Sequence, residues 1–170
     1  MDATFSMTTI GTVTGGRREA IDDDWGASRA SIVLAPRFSA DALAGLAGFS
    51  HAEIVFVFDR LPEAEITTAA RRPRGNPDWP MVGIFAQRGR NRPNRIGVSV
   101  CRIVSIDGTR LEVEGLVAID GTPVLDIKPV LRGFLPRGDV REPEWAAAIM
   151  AEYWQRGRRT HPHIPSSRDT

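Results

Sequence analysis

Apolar and polar residues alternate through several short runs of this chain, and each run stops at Gly, Pro, Asp or Asn. A period of two with Val, Ile and Phe in the apolar places predicts β-strands over residues 8–14, 31–35, 53–58, 82–86, 96–106, 111–117 and 124–130. The sharpest junction is Asp107-Gly108, between VSVCRIVSI and LEVEGLVAI, where Asp-Gly suits the positive φ angles of a tight hairpin. On the first arm the pattern predicts one face made of Val98, Val100, Arg102, Val104 and Ile106. On the second, Leu111, Val113, Gly115 and Val117 alternate with Glu112 and Glu114, a half-buried pattern. Only two stretches read as helix. One covers residues 40–46 behind a Ser39 N-cap. The other covers 144–155, begun by Pro143 and ended by Gly157, with Trp145, Ile149 and Tyr153 on one face.

About seven strands with so few crossover helices predict a mainly β fold. The expected form is a small barrel of about six to seven strands with short peripheral helices and a C-terminal helix. The barrel is assigned to residues 1–140, and residues 141–170 to the helix and a mobile polar tail that is not a separate domain. Between Pro62 and Pro80 lies an insertion rich in proline and arginine, and a loop of that length in a compact domain is more often functional than idle.

Composition narrows the class. The chain has 170 residues, 42% hydrophobic and 25% charged, which fits one globular domain and excludes a disordered chain. Cys101 is the only cysteine, so no intrachain disulfide forms. No apolar run reaches membrane-spanning length and the N-terminal residues lack a signal-peptide core, so the reading is a soluble cytoplasmic protein.

Charge changes the picture more. Net charge is only +1, yet residues 71–95 carry Arg71, Arg72, Arg74, Arg88, Arg90, Arg92 and Arg95 against Asp78 alone, while acids gather at Glu19, Asp22, Asp23 and Asp24. The densest stretch is RGRNRPNRIG, residues 88–97. Pro93 restrains the loop and Gly89 and Gly97 free its ends, which splays the arginines. Guanidinium pairs bidentately with phosphate or carboxylate and stacks on purines, so a nucleotide, a polynucleotide or an amino-acid carboxylate would suit, against the alternative of a solvated loop. In IDGTPVLDIKP, Asp126 and Lys128 sit two apart on one face of a strand, as the lining of a polar pocket or as a surface ion pair. His51 reads as a structural hydrogen-bonding residue. With His161 and His163 in the tail, no second histidine stands at metal-ligand spacing, and no metal is expected. There is no G-x-S-x-G elbow, Walker loop or Gly-rich dinucleotide turn, and Cys101 reads as packing.

Three segments, GFSHAEIVFVF, VGIFAQRGRNRPNRIGVSV and DGTPVLDIKP, occur in that order over the stretch from Ile10 to Val130. Together they resemble the TsaA-like, or TrmO, family of S-adenosylmethionine-dependent tRNA methyltransferases. The resemblance implies a β-barrel rather than a Rossmann fold, S-adenosylmethionine bound near a homodimer interface, and methylation of threonylcarbamoyl-adenosine beside the anticodon of tRNA. By position it implies a cofactor site made of Arg88, Val98, the turn Val117, Ala118, Ile119 and Asp120, and Asp59 and Arg60. Asp24, Trp25 and Gly26 occupy the place of a further cofactor loop. Arg92, Pro93, Asn94 and Gly97 match the family signature, as do His51, Asp126 and Lys128. The sequence departs from the family pattern at Gly89, where serine is frequent, and at Arg95, where proline is frequent. On this reading Arg88 serves the cofactor, Arg90, Arg92, Asn94 and Arg95 face the RNA with His51, Asp126 and Lys128, and no catalytic base is assigned. Two other functions fit the same residues: a non-catalytic RNA-binding barrel, and a methyltransferase for a small nucleotide-like substrate.

Overall fold

The computed structural model describes residues 3–155; the expected tail after Gln155 lies outside them. Six strands close into an antiparallel barrel: β1 (Gly11–Thr14), β2 (Arg29–Leu34), β3 (His51–Val57), β6 (Ile96–Asp107), β7 (Arg110–Glu114) and β8 (Pro123–Pro129). Their order around the barrel is β1-β2-β7-β6-β3-β8, and β8 pairs with both β3 and β1 to complete the closure. Closure removes the unpaired edges that an open sheet of this size would expose. Val13, Ile32, Ile54, Phe56, Leu111, Val113 and Val124 fill the interior at 0–1% exposure. They come from alternate positions of their strands, as the period of two requires.

The face of β6 is inverted relative to the expectation. Val98 and Val100 point outward, 37% and 50% exposed, while the buried positions are Gly97, Ser99 and Cys101. The reason is steric. A Cβ on Gly97 would lie 2.3 Å from the Phe56 ring, so that ring needs a glycine opposite it. A register shift between Ile103 and Ser105 then reverses the alternation, and only at Ile106 does the expected face pack against the core. At the hairpin, Asp107 remains in the strand opposite Arg110 and Gly108 alone takes positive φ, 56°.

Residues 82–86 do not join the barrel. β5 (Val82–Gly83) pairs with β4 (Ala70–Arg71) in a separate two-stranded sheet, and the chain then turns into a 3-10 segment, Ile84–Ala86. The first expected helix is two 3-10 turns, Ala40–Leu43 and Leu46–Gly48, divided at Gly45 with φ 81°; Ser39 does cap it, accepting from the Asp41 amide. The C-terminal helix α1 spans only Glu144–Met150. The chain then continues in i to i+3 turns, Tyr153 N–H to Met150 O and Gln155 N–H to Glu152 O, and the Glu152 and Tyr153 carbonyls accept from the amides of Asp24 and Trp25. That pairing ties the C-terminal segment to the barrel.

Candidate functional site

Antiparallel closure gives the barrel two rims. The C-terminal ends of β1, β3 and β7 and the N-terminal ends of β2, β6 and β8 share one of them. Across this rim runs the 115–122 connection from β7 to β8, held by Gly121 N–H to Val13 O at 2.8 Å and Val13 N–H to Thr122 O at 2.9 Å. Gly121 at φ 87° makes the turn possible.

Asp120 is the meeting point. Its amide donates to the Arg17 carbonyl at 2.7 Å and its Oδ1 accepts from the Gly15 amide at 2.8 Å. Arg60 Nη2 donates to the Asp120 carbonyl at 2.7 Å. Arg17 carries the linkage onward: its guanidinium donates to the Asp23 and Asp24 carbonyls and lies 4.4 Å from the centre of the Trp25 ring. Trp25 is buried and donates from Nε1 to Ile21 O at 3.0 Å. Arg60, Asp120 and the 24–26 loop, far apart in sequence, are therefore joined. Asp59, exposed, precedes Arg60 at the end of β3.

A second group lies around Ser99. Arg88 Nη2 donates to Val98 O at 3.0 Å, and the Val117 amide donates to Ser99 Oγ at 3.2 Å. Ser99 is 4% exposed, so its hydroxyl replaces the partner that the Val117 amide would otherwise lack. Ala118 is buried and Ile119 accepts from the Thr122 amide.

The basic loop is more tied down than its composition implies. Arg95 N–H donates to Arg92 O at 3.0 Å, closing a turn with Pro93 and Asn94 at its centre. Arg95 has φ 52°, which a proline cannot adopt. Arg92 Nη1 donates to Gln87 O and Arg95 Nη1 to Leu61 O. Arg90 and Asn94 are exposed.

His51, Asp126 and Lys128 are not part of this cluster. They sit on the barrel wall: His51 opposite Arg102, Asp126 opposite Val55, Lys128 opposite Glu53. Lys128 Nζ donates to Asp126 Oδ2, and that bond, then the Asp126 charge, raise the lysine above its ordinary value. His51 Nδ1 lies 2.8 Å from Ser50 Oγ at the opposite end of β3 from Arg60, about 20 Å away along a seven-residue strand. That opposite rim holds a mainly apolar cavity of about 450 Å³ whose lining includes Leu34, Phe38, Leu43, Leu46, Phe49 and Ile127 together with Asp126.

Sequence reasoning missed Gly15, Arg17, Ser99 and Arg74. Arg74 forms ion pairs with Asp23 at 2.7 Å and Asp22 at 4.0 Å. The hydrogen bonds that Arg74 donates to the Asp23 carboxylate raise its guanidinium above the ordinary value. The only signal was the opposite charge of segments 22–24 and 71–74. Nothing in the sequence around Gly15 and Arg17 marks them as partners of Asp120. Among the described residues no group of His, Cys, Asp and Glu could hold a metal ion, and no helix is long and apolar enough to cross a membrane.

Residues 23–134 match the tRNA-methyltransferase O N-terminal domain. The chain is 42% identical over 106 residues to a putative S-adenosylmethionine-dependent methyltransferase RcsF of Pseudomonas aeruginosa, covering 61% of this chain and 45% of that protein. It is 41% identical over 105 residues to a tRNA (adenine(37)-N6)-methyltransferase of Escherichia coli K12, covering 58% and 43%. A crystal structure of TrmO from P. aeruginosa superposes with a TM-score of 0.69 at 30% identity, covering 85% of this chain and 63% of that one. The chain thus spans less than half the length of these curated relatives.

Proposed function

The chain belongs to the tRNA-methyltransferase O N-terminal domain family, and from that membership we propose that it is an S-adenosylmethionine-dependent methyltransferase. Its proposed substrate is the threonylcarbamoyl-adenosine beside the anticodon of tRNA, and it acts in the cytoplasm as a homodimer. The observation that carries the reading is the convergence of Gly15, Arg17 and Arg60 on Asp120 at one rim of the barrel. The names of the relatives, tRNA methyltransferase and S-adenosylmethionine-dependent methyltransferase, support the same chemistry.

The chemistry of the rim fits the methyl donor. S-adenosylmethionine supplies an electrophilic methyl group on a sulfonium cation and also carries a purine and an amino-acid end. Facing those needs are the Asp120 carboxylate, the backbone carbonyls of the 117–120 turn, and the guanidiniums of Arg60 and Arg88. Asp120 and the carbonyls suit the cation and the ammonium; the arginines suit the carboxylate and the purine. Methyl transfer needs the sulfonium carbon and the acceptor nitrogen in line, so these residues act by orienting and by excluding water, without a dedicated base. Arg90 and Asn94, exposed at the loop tip, are the RNA-facing candidates, because single-stranded loops are gripped through phosphates and stacked bases. Arg92 and Arg95 set the loop's shape with one donor each and keep others for phosphate. Asp126, Lys128 and His51 extend the RNA-facing set along the wall.

Dimerisation finds support in the outward valines of β6. Val98 and Val100 form an exposed hydrophobic strip beside Val55 on the outer wall of the barrel, next to Arg88 at the proposed donor site. Nucleoside mass spectrometry of tRNA from cells with and without the protein tests the function. Loss of the methylated threonylcarbamoyl-adenosine signal in its absence is the expected result; unchanged tRNA nucleosides would refute the tRNA substrate.

A further inference from the structure

The family match ends at residue 134, but the chain continues through α1 and folds back onto the proposed donor site. Its seat is specific. Asp24 N–H donates to Glu152 O at 3.4 Å and Trp25 N–H to Tyr153 O at 2.9 Å. A Cβ on Gly26 would lie 2.0 Å from the Trp154 carbonyl oxygen, so the two backbones touch as closely as glycine permits. On the far side, the Trp154 ring comes within 3.8 Å of the Cβ position of Gly115, where the rim connection begins. The Tyr153 and Trp154 rings pack edge to face with centres 5.0 Å apart.

This seat brings Tyr153 into the charged surroundings of the site. It is half-buried, and Arg74, Arg88, Asp22 and Asp23 all act on its phenol. Burial raises the phenol above its ordinary value, so it is a neutral O–H donor at physiological pH. The hydroxyl makes no hydrogen bond among the described residues. Asp22 and Asp23 are already engaged by Arg74, whereas Arg88 uses one nitrogen on Val98 O and has donors to spare.

We infer that Tyr153 is a donor-binding residue. Its hydroxyl joins Arg88 in binding the amino-acid carboxylate of S-adenosylmethionine, and the segment after the family domain completes the site. A guanidinium and a neutral phenol together suit a carboxylate, because both donate and neither repels it. The inference rests on the proposed methyl-donor site at this rim.

Two probes separate the possibilities: S-adenosylhomocysteine, which has the amino-acid end, and methylthioadenosine, which lacks it. Each is titrated by calorimetry into wild-type protein and into Tyr153→Phe, which keeps the ring and loses only the hydroxyl. Loss of one hydrogen bond to a charged group should weaken S-adenosylhomocysteine about tenfold and leave methylthioadenosine within about twofold. Thermal unfolding of the variant should match wild type. Unchanged S-adenosylhomocysteine binding in the variant would overturn the role of Tyr153 while leaving the donor site standing. An equal loss for both probes would make its role structural and overturn the inference as well. If wild-type protein bound neither probe, the methyl-donor reading itself would fail, and this inference with it.

Discussion

Arg60 Nη2 donates to the Asp120 carbonyl oxygen at 2.7 Å across sixty residues of sequence. The bond joins the end of β3 to the turn before β8, and Gly121 beside it leaves the room that the guanidinium needs. A Cβ there would stand 2.6 Å from Arg60 Nη2.

Gly121→Ala therefore breaks two things at once. It forces a side chain onto φ 87° and displaces Arg60. Denaturant unfolding should show a loss of about 1–2 kcal/mol, and S-adenosylhomocysteine affinity should fall severalfold. Arg60→Ala, on an exposed residue, should weaken the ligand while changing stability by less than about 0.5 kcal/mol. Equal affinity in all three proteins would remove Arg60 from the donor site.

Gly97→Ala tests the inversion of β6. Its methyl would meet the Phe56 ring at 2.3–2.9 Å, and overpacking of that kind costs about 1–3 kcal/mol. Combining it with Phe56→Leu should recover part of the loss, a non-additive pair in a denaturant-based double-mutant cycle. Strict additivity would mean that the two residues do not touch.

Burial alone pushes the Cys101 thiol from its ordinary 9.0 up to about 12. The native protein should therefore resist thiol reagents at pH 8 and react only on unfolding. The sign for stability follows. The folded thiol keeps its proton longer than the unfolded one, so this contribution is complete below pH 9 and declines as pH climbs towards 12. Cys101→Ser should react with nothing and show less of that alkaline decline.

Glu114 behaves in the opposite sense. Hydrogen bonds from Arg102 and Arg29 hold its carboxyl below the ordinary 4.5. Its stabilisation is present above that value and is lost as pH falls through the lowered one. Acid unfolding of Glu114→Gln should accordingly be shallower than that of wild type between about pH 5 and pH 2.

The barrel was readable because β1, β2, β3 and β7 keep the period of two along their length, and turn residues bound the strands. Which side of β6 faces inward was not readable. Alternation defines two faces, and the valines of Val98 and Val100 outweigh Gly97, Ser99 and Cys101 on any hydrophobic scale, although the Phe56 ring requires the small ones. Strands of two residues, such as β4 and β5, are too short for a period to register. Asp120, Arg60 and Trp25 were legible only as positions that the family resemblance marks. Their link through Arg17 was not, since a guanidinium at the end of a long side chain can reach many carbonyls, and only the folded backbone selects which. Arg74 and Asp23 follow the same logic: opposite charges 51 residues apart become partners only when the insertion folds over the 22–24 segment.

The claim on which the account turns is that the methyl donor sits at the rim of Asp120 and not in the apolar cavity at the other rim. Backbone amide chemical shifts recorded by NMR during titration with S-adenosylhomocysteine address it residue by residue. The account predicts that the largest changes fall on Gly15, Trp25, Asp120 and Gly121. Changes concentrated instead on Leu43, Leu46, Phe49 and Ile127 would contradict it.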